Sequence, residues 1–134
     1  MTADLETGPD IRDITPELIA FVKSSGVLNG VLHLFVVGST GSLTTIEYEP
    51  GVVADLKRAI TALAPPDQVY AHEQAWHDGN GHSHVQAALM GPSLSIPVRD
   101  GDLVIGTWQQ VVVINHDNGP RSRKIALTLL GMTD

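Results

Sequence analysis

Histidine is concentrated in one short stretch of the sequence, AHEQAWHDGNGHSHVQAALMG, which runs from Ala71 to Gly91. This stretch holds four of the six histidines of the chain, at positions 72, 77, 82 and 84. The chain has no cysteine, so imidazole and oxygen ligands would have to hold any transition metal. Catalytic zinc sites usually take three protein ligands and leave one position open. The stretch therefore predicts a site for a divalent metal ion, zinc or another, formed by His72, His82 and His84.

The other ionisable residues near this stretch have simpler interpretations. Asp78 can supply an oxygen ligand, or it can accept a hydrogen bond that fixes an imidazole tautomer. We interpret His77 as an exposed loop residue, His33 as a partly buried strand residue and His116 as an exposed residue near a turn. A polar loop whose histidines bind nothing is the alternative, because clustered ionisable residues are often purely structural.

Two further groups of residues are suited to binding phosphate. The turn GSTG offers the hydroxyls of Ser39 and Thr40 together with free backbone amides, but it lacks the lysine of a P-loop. The segment DNGPRSRK supplies Arg121 and Arg123, and guanidinium groups can contact phosphate through two hydrogen bonds. An ordinary turn and a charged surface are the alternative interpretations. Trp108 is interpreted as a core or interface aromatic, or as the wall of a pocket for a flat heterocycle.

Hydrophobic spacing predicts the helices that would position these residues. DITPELIAFVKSSG predicts a helix with Thr15 as its N-cap, Pro16 in its first turn and Gly26 at its end. VVADLKRAITALAP predicts a second helix that the following prolines end. In the histidine stretch, residues Trp76–Gly81 predict a loop, and SHVQAALMG can form a helix of about two turns that begins at Ser83.

The remaining apolar segments predict strands. They are GVLHLFVVG, SLTTIEYE, SLSIPV, LVIGTWQQVVVINHD and RKIALTLLG, and Gly106 is expected to bend or bulge the fourth. The short turns RDGD and DNGP favour antiparallel pairing. Two helices and about six strands that do not alternate one for one predict an α+β fold.

Composition limits the class of protein. A chain of 134 residues, 43% of them hydrophobic, fits a single domain over residues 1–134. The net charge of -7 disfavours binding to nucleic acid phosphates, so we expect no nucleic acid partner. No apolar run reaches the roughly 18 residues of a membrane span, and the acidic N-terminus does not resemble a signal peptide. We therefore expect a cytoplasmic protein without a membrane partner.

Several longer segments, taken in order, resemble one family. They are GSTGSLTTIEYEPGVVADL, YAHEQAWHDGNGHSHVQAALMGPSLSIPV and GDLVIGTWQQVVVINHDNGPRSRK, and DITPELIAFVKSSGVLNG resembles the opening helix and turn. From about Asp13 to Gly131 the chain is similar to the YjbQ-like family, small proteins often named secondary thiamine-phosphate synthase enzyme. The resemblance implies a compact α+β domain whose antiparallel sheets stack as a sandwich, with two or three helices packed outside. It also implies a homotrimer with a polar, metal- or anion-binding pocket near the subunit boundary.

The resemblance extends to individual positions. His72 and His84 match family histidines, and His82 matches a GHSH variant that part of the family carries. Gly38-Ser39-Thr40 stands where many members have His-Thr-Thr, so one family ligand is missing unless His82 replaces it. Other recurring positions are matched by Asp78, Asn80, Trp108, Gln109, Asp117, Arg121 and Arg123.

The family name implies a transferase that couples a pyrimidine methyl pyrophosphate to a thiazole phosphate and releases pyrophosphate. The implied catalytic residues are His72, His84 and Asp78, and the implied metal ligands are His72, His82 and His84. A small phosphorylated metabolite would be bound by Ser39, Thr40, Asn80, Trp108, Gln109 and Arg121. Another metal-assisted reaction of a phosphate ester and a non-catalytic trimer that binds a metal or an anionic metabolite are the alternatives.

Overall fold

The apolar segments of the chain form the strands of two antiparallel sheets. The computed structural model describes all residues from 1 to 134. Four helices and eight strands make up a single α+β domain, which confirms the predicted class. In chain order the elements are β1 (Thr2–Leu5), β2 (Asp10–Asp13), α1 (Thr15–Ser25), β3 (Asn29–Val37), β4 (Gly41–Ile46), α2 (Pro50–Leu63), α3 (His72–Trp76), α4 (Gly81–Met90), β5 (Ser93–Arg99), β6 (Asp102–Leu103), β7 (Gln110–Asn115) and β8 (Arg121–Met132).

The two sheets differ in size and share no strand. The larger sheet has five strands in the order β1-β8-β3-β5-β6, and the smaller has three in the order β2-β7-β4. All strand pairs are antiparallel, as the short turns predicted. The chain passes from the smaller sheet to the larger one between Asn115 and Arg121, a connection that carries several polar side chains.

The main core lies between the sheets. Strand β3 alternates strictly, so Leu32, Leu34 and Val36 point inward, where they pack with residues of the smaller sheet such as Leu43 and Val113. Helix α2 covers the opposite face of the smaller sheet, because its Ile60 packs with Ile11, Val112 and Ile114. The outer face of the larger sheet has no such cover.

The helices begin and end close to the predicted residues. Helix α1 ends at Gly26, whose φ of 74° suits glycine, but its N-cap is Ile14 and not Thr15. The Thr15 hydroxyl instead accepts a hydrogen bond from the Val111 amide at 2.8 Å, which ties α1 to β7. At α2 the Glu49 carboxylate accepts hydrogen bonds from the first amides of the helix. None of the helices combines the length and the apolar character needed to cross a membrane.

Other local predictions were also wrong. The short strands β1 and β2 were missed, and α3 lies where no regular element was expected. The predicted strand through Gly106 is interrupted, since β6 ends at Leu103 and β7 begins at Gln110. Gly106 lies in the intervening loop, where its amide donates to the Gln109 side chain at 3.0 Å. Helix α4 begins at Gly81, so Asn80 and not Ser83 is its N-cap.

Candidate functional site

Two histidines of the histidine-rich stretch lie side by side. His72 is the first residue of α3, and His84 lies in the first turn of α4. The centroids of their rings are 4.6 Å apart, with the ring planes tilted by 53°. Both residues are half-buried. The four-residue loop between the helices thus brings together two side chains that are twelve positions apart.

Asp78 lies beside this pair. Its Oδ1 atom is 3.2 Å from Nε2 of His72, but the two groups lack the alignment of a hydrogen bond. Nε2 is enclosed and has no other polar partner. Two ligands of one tetrahedral cation lie roughly 3.3 Å apart when each bond is about 2.1 Å long. An imidazole nitrogen and a carboxylate oxygen at this spacing therefore fit a shared divalent cation.

Hydrogen bonds to the Glu73 side chain stabilise the conformation of the loop between α3 and α4. Its carboxylate accepts hydrogen bonds from the amides of Gly79 at 2.7 Å and Gly81 at 3.0 Å. Gly81 has no room for a side chain, because a Cβ atom there would lie 2.4 Å from Cβ of Tyr70. Glu73 therefore places a carboxylate of the protein itself at the start of α4.

Glu73 also belongs to the group of side chains that could hold a metal. One ligand atom each from His72, Glu73 and Asp78 lies within 4.8 Å of the others. Because the Glu73 carboxylate already accepts two backbone amides, it has less free capacity than Asp78. One imidazole and two carboxylates are a donor set that a zinc-like ion accepts. His84 packs its ring against that of His72, but its ring nitrogens lie outside this group.

His82 occupies a different environment from the paired histidines. It is buried, its ring lies 6.4 Å from that of Tyr70, and its Nε2 is 3.3 Å from the Ser83 hydroxyl. Its Nδ1 atom is enclosed and has no partner. Burial lowers the pKa of His82, although the carboxylates of Glu73 and Asp117 oppose this shift.

A buried polar network centred on Asp117 lies at the connection between the sheets. Asp117 accepts hydrogen bonds from the Thr40 hydroxyl at 2.9 Å and the Asn80 amide at 3.1 Å, and Arg121 Nε lies 3.2 Å away. Burial opposes ionisation most strongly, but the hydrogen bonds from Arg121, Asn80 and Thr40 together lower the pKa of Asp117. Three residues predicted to bind substrate therefore contact this carboxylate.

Asn80 also holds the start of α4. Its Oδ1 atom accepts hydrogen bonds from the Ser83 hydroxyl at 2.6 Å and the Asn118 amide at 3.1 Å. Together with its bond to Asp117, these contacts make Asn80 a bridge between α4 and the turn before β8. Its side-chain groups are therefore engaged within the protein.

The prediction that His116 is exposed was wrong, because its ring is fully buried. Its Nε2 atom lies 2.7 Å from the Ser42 hydroxyl and its Nδ1 atom 3.0 Å from Oε1 of Gln86. His33, in contrast, is exposed and not partly buried, although its ring contacts Ser95. His77 is exposed, as predicted.

Beside His84 the surface forms a cleft of about 330 Å³. The turn between β3 and β4 lines one side through Gly38, Ser39 and Gly41, and α4 lines the other side through His84. Ser39 is exposed in this cleft, whereas the neighbouring Thr40 turns inward to Asp117. Gly38 has no side chain to project from this side of the cleft.

Trp108 and Gln109 lie far from the paired histidines within the chain. In the register of β4 with β7, Gly41 pairs with Asn115 and Ile46 with Gln110. Five residues of strand correspond to roughly 17 Å, so Trp108 and the Asp117 network lie at opposite ends of the smaller sheet. Gln109 donates to the Thr45 hydroxyl at 3.0 Å, and the Trp108 side chain is exposed.

Sequence reasoning missed four residues that build the surroundings of the site. Glu73 was hidden because hydrophobic spacing says nothing about a carboxylate that bonds to backbone amides. A usable signal for Asn115 was the polar run NHDN directly after the apolar strand VVVI, since polar groups at a strand end often form a buried network. No such signal marks Ser42 or Gln86. The missed residues are Ser42, Glu73, Gln86 and Asn115.

Known proteins are similar in sequence to this chain along nearly its whole length. A family model described as UPF0047 protein YjbQ-like matches residues 1–132. The UPF0047 protein of Methanothermobacter thermautotrophicus is 34% identical over 122 residues, which cover 91% of this chain and 83% of the relative. The UPF0047 protein YjbQ of Salmonella typhimurium is 37% identical over 106 residues, which cover 78% of this chain and 76% of the relative.

Solved structures show the same fold. A crystal structure from Sulfolobus solfataricus P2, described as a YbjQ-like protein of unknown function, has a TM-score of 0.89 at 32% identity and covers 98% of this chain and 96% of its own. An uncharacterized conserved protein of the YjbQ/UPF0047 family from Clostridium acetobutylicum has a TM-score of 0.85 at 32% identity, with 97% and 99% covered. Sequence and fold therefore lead to one conclusion: the chain belongs to the YjbQ-like UPF0047 family.

Proposed function

We propose that this protein is an enzyme that uses a divalent metal ion to act on a small phosphorylated metabolite. One observation carries the proposal: the enclosed Nε2 of His72 has no hydrogen bond, yet it lies 3.2 Å from an oxygen of Asp78 and its ring packs against His84. His72 and Asp78 would hold the ion, and His84 would join them once its ring turned towards it. The proposal leaves His82 outside the ligand set, because its ring lies against Tyr70 and Ser83.

The reaction we propose is of the thiamine-phosphate synthase type. The thiazole nitrogen forms a bond to the methylene carbon of the pyrimidine, and the bond from that carbon to the pyrophosphate oxygen breaks. When bound, a divalent cation would supply positive charge to the departing pyrophosphate. The cleft beside His84 would orient the phosphate, with the exposed Ser39 hydroxyl as a donor.

The buried network gives the other predicted residues a positioning role. Thr40, Asn80 and Arg121 all contact the Asp117 carboxylate, which fixes the turns on both sides of the cleft. Trp108 and Gln109 lie at the other end of the smaller sheet, so in this proposal they act on the substrate only if a second subunit brings them to the cleft.

A metal-binding measurement tests the ligand set. Purified protein is dialysed against Zn²⁺ or Mn²⁺, and we expect one ion per chain by elemental analysis. His72→Ala and His84→Ala should each weaken binding by about tenfold or more, since each removes an imidazole ligand. His77→Ala is the matched control, because it removes an exposed histidine of the same loop. Full metal content in both ligand variants would exclude this ligand set.

A turnover assay separates an enzyme from a binder. The metal-loaded protein is incubated with the pyrimidine pyrophosphate and the thiazole phosphate, and thiamine phosphate and pyrophosphate are measured by chromatography. We expect turnover that a chelator abolishes and that His72→Ala loses. Metal binding without turnover would support the non-catalytic metal- or metabolite-binding protein, and release of inorganic phosphate from a phosphate ester would support a hydrolase.

We further propose that the protein is a homotrimer. The outer face of the larger sheet supports an interface between copies, because side chains of β3 and β8 that point outward from it are apolar and exposed. They include Val31, Phe35, Val37, Leu130 and Met132, which are between 44% and 70% exposed.

A further inference from the structure

The Arg123 side chain is a buried cation without a carboxylate partner. Only 6% of the residue's surface is exposed to solvent, and no acidic group lies within ion-pair distance of it. Its Nε donates to Oδ1 of Asn115 at 3.1 Å, and its Nη2 donates to the Thr40 hydroxyl at 2.6 Å. Neutral acceptors compensate a buried guanidinium only in part, so its charge is available to a further anion.

The third nitrogen of this guanidinium lies next to the turn that lines one side of the cleft beside His84. Nη1 makes no hydrogen bond within the protein, and it is not among the enclosed, unpartnered atoms, so solvent reaches it. A Cβ atom built on Gly38 would lie 3.0 Å from Nη1, and one built on Gly41 would lie 3.2 Å from Nε. Both glycines line the cleft. Because neither carries a side chain, the guanidinium packs directly against the backbone of the turn that lines the cleft.

We propose that Arg123 forms the floor of a phosphate subsite in this cleft. Nη1 would donate to one phosphate oxygen, and the exposed Ser39 hydroxyl would donate to another. Thr40 cannot serve as such a donor, because its hydroxyl proton is directed to Asp117. Arg121, which the family resemblance implied as a substrate-binding residue, is paired with that same carboxylate at 3.2 Å. This subsite rests on the proposed function only in that the phosphate would belong to the substrate.

Binding of pyrophosphate to the metal-free protein tests the subsite. Titration calorimetry is carried out in a chelator, so that the result does not depend on the metal ligands. We expect wild type and His72→Ala to bind equally, and Arg123→Gln to bind about tenfold more weakly or worse. Malonate, a dicarboxylate, should bind more weakly than pyrophosphate. No binding by the wild type, or tighter binding of malonate, would overturn the phosphate assignment.

A second variant leaves the buried network intact. Ser39→Glu places a carboxylate in the cleft and should abolish pyrophosphate binding, because it repels the ligand and can itself contact the guanidinium. Ser24→Glu on the exposed surface of α1 makes the same change of charge and should bind like wild type. If Arg123→Gln fails to fold, Ser39→Glu decides the question. Unchanged binding in Ser39→Glu, or in a folded Arg123→Gln, would overturn the proposal.

Discussion

The hydrogen-bond partners of His116 fix which nitrogen of its ring carries the proton. Its Nδ1 atom faces Oε1 of Gln86, an acceptor, while the amide nitrogen of Gln86 donates to the Ala64 carbonyl. The proton of the neutral ring therefore lies on Nδ1, and Nε2 accepts the hydroxyl of Ser42. Burial, with a smaller contribution from Arg123 and His82, lowers the pKa of His116 to about 4.

This low pKa predicts that stability falls in mild acid. Unfolding restores an ordinary histidine pKa of about 6.5, so the unfolded chain takes up a proton that the native ring refuses. The contribution of His116 to stability is complete above pH 6.5 and decreases as the pH falls towards 4, by roughly 3 kcal/mol at most. Urea denaturation between pH 7.5 and 4.5 measures this loss.

A pair of variants identifies the histidine responsible. His116→Gln should be less stable at pH 7.5 but should lose less stability on acidification, with the buried His82 accounting for part of what remains. His77→Gln, at an exposed position, should follow the wild-type curve. An unchanged pH slope in His116→Gln would contradict the assignment.

At the scale of elements, the segment from α3 to α4 behaves as one unit joined by Glu73. Glu73→Ala removes the acceptor for the amides of Gly79 and Gly81, and we expect a loss of about 1–3 kcal/mol because two backbone donors lose their partner. The spacing of His72 and His84 depends on this loop, so metal affinity should fall as well. Thermal denaturation and metal titration measure the two effects.

The control for this variant is Glu47→Ala, which removes an exposed carboxylate elsewhere in the chain. It should change the free energy of unfolding by less than about 0.5 kcal/mol. If Glu73→Ala lost stability but kept wild-type metal affinity, the loop would not be what positions the paired histidines.

Periodicity predicted the elements that bury a continuous apolar face. Helix α2 was found from its helical spacing, and strand β3 from its continuous apolar composition between two glycines. The four-residue β1 and β2 and the five-residue α3 are too short for a period to emerge. The interruption before β7 depends on a bond between Gln109 and Gly106, which no hydrophobic pattern encodes.

The site was predictable in its residue types but not in its contacts. The density of histidine pointed to residues 72–84, and two of the three proposed imidazoles do lie together. Which of them pair depends on the loop held by Glu73, and this excludes His82 from the pair. Arg121 and Arg123 are equivalent in the sequence, yet the strand places one at the surface and the other in the interior.

At the scale of the molecule, the proposed homotrimer can be tested at the open face of the larger sheet. Phe35→Glu places a charge in the middle of this face and should convert the proposed trimer to monomers, because an unpaired charge is costly at a buried interface. Light scattering coupled to size exclusion measures the mass. Leu63→Glu, which changes an exposed apolar residue of α2 on the other side of the domain, should remain trimeric. A trimeric Phe35→Glu, or a monomeric wild type, would contradict this interface.

The position of the last strand has a consequence for biosynthesis. Strand β8 lies between β1 and β3, so β1 has no neighbour in its sheet until β8 has been made. The same strand carries Arg123, and the turn before it carries Asp117. A growing chain on the ribosome therefore has neither the complete five-stranded sheet nor the complete proposed phosphate subsite, and both form only when β8 has left the exit tunnel.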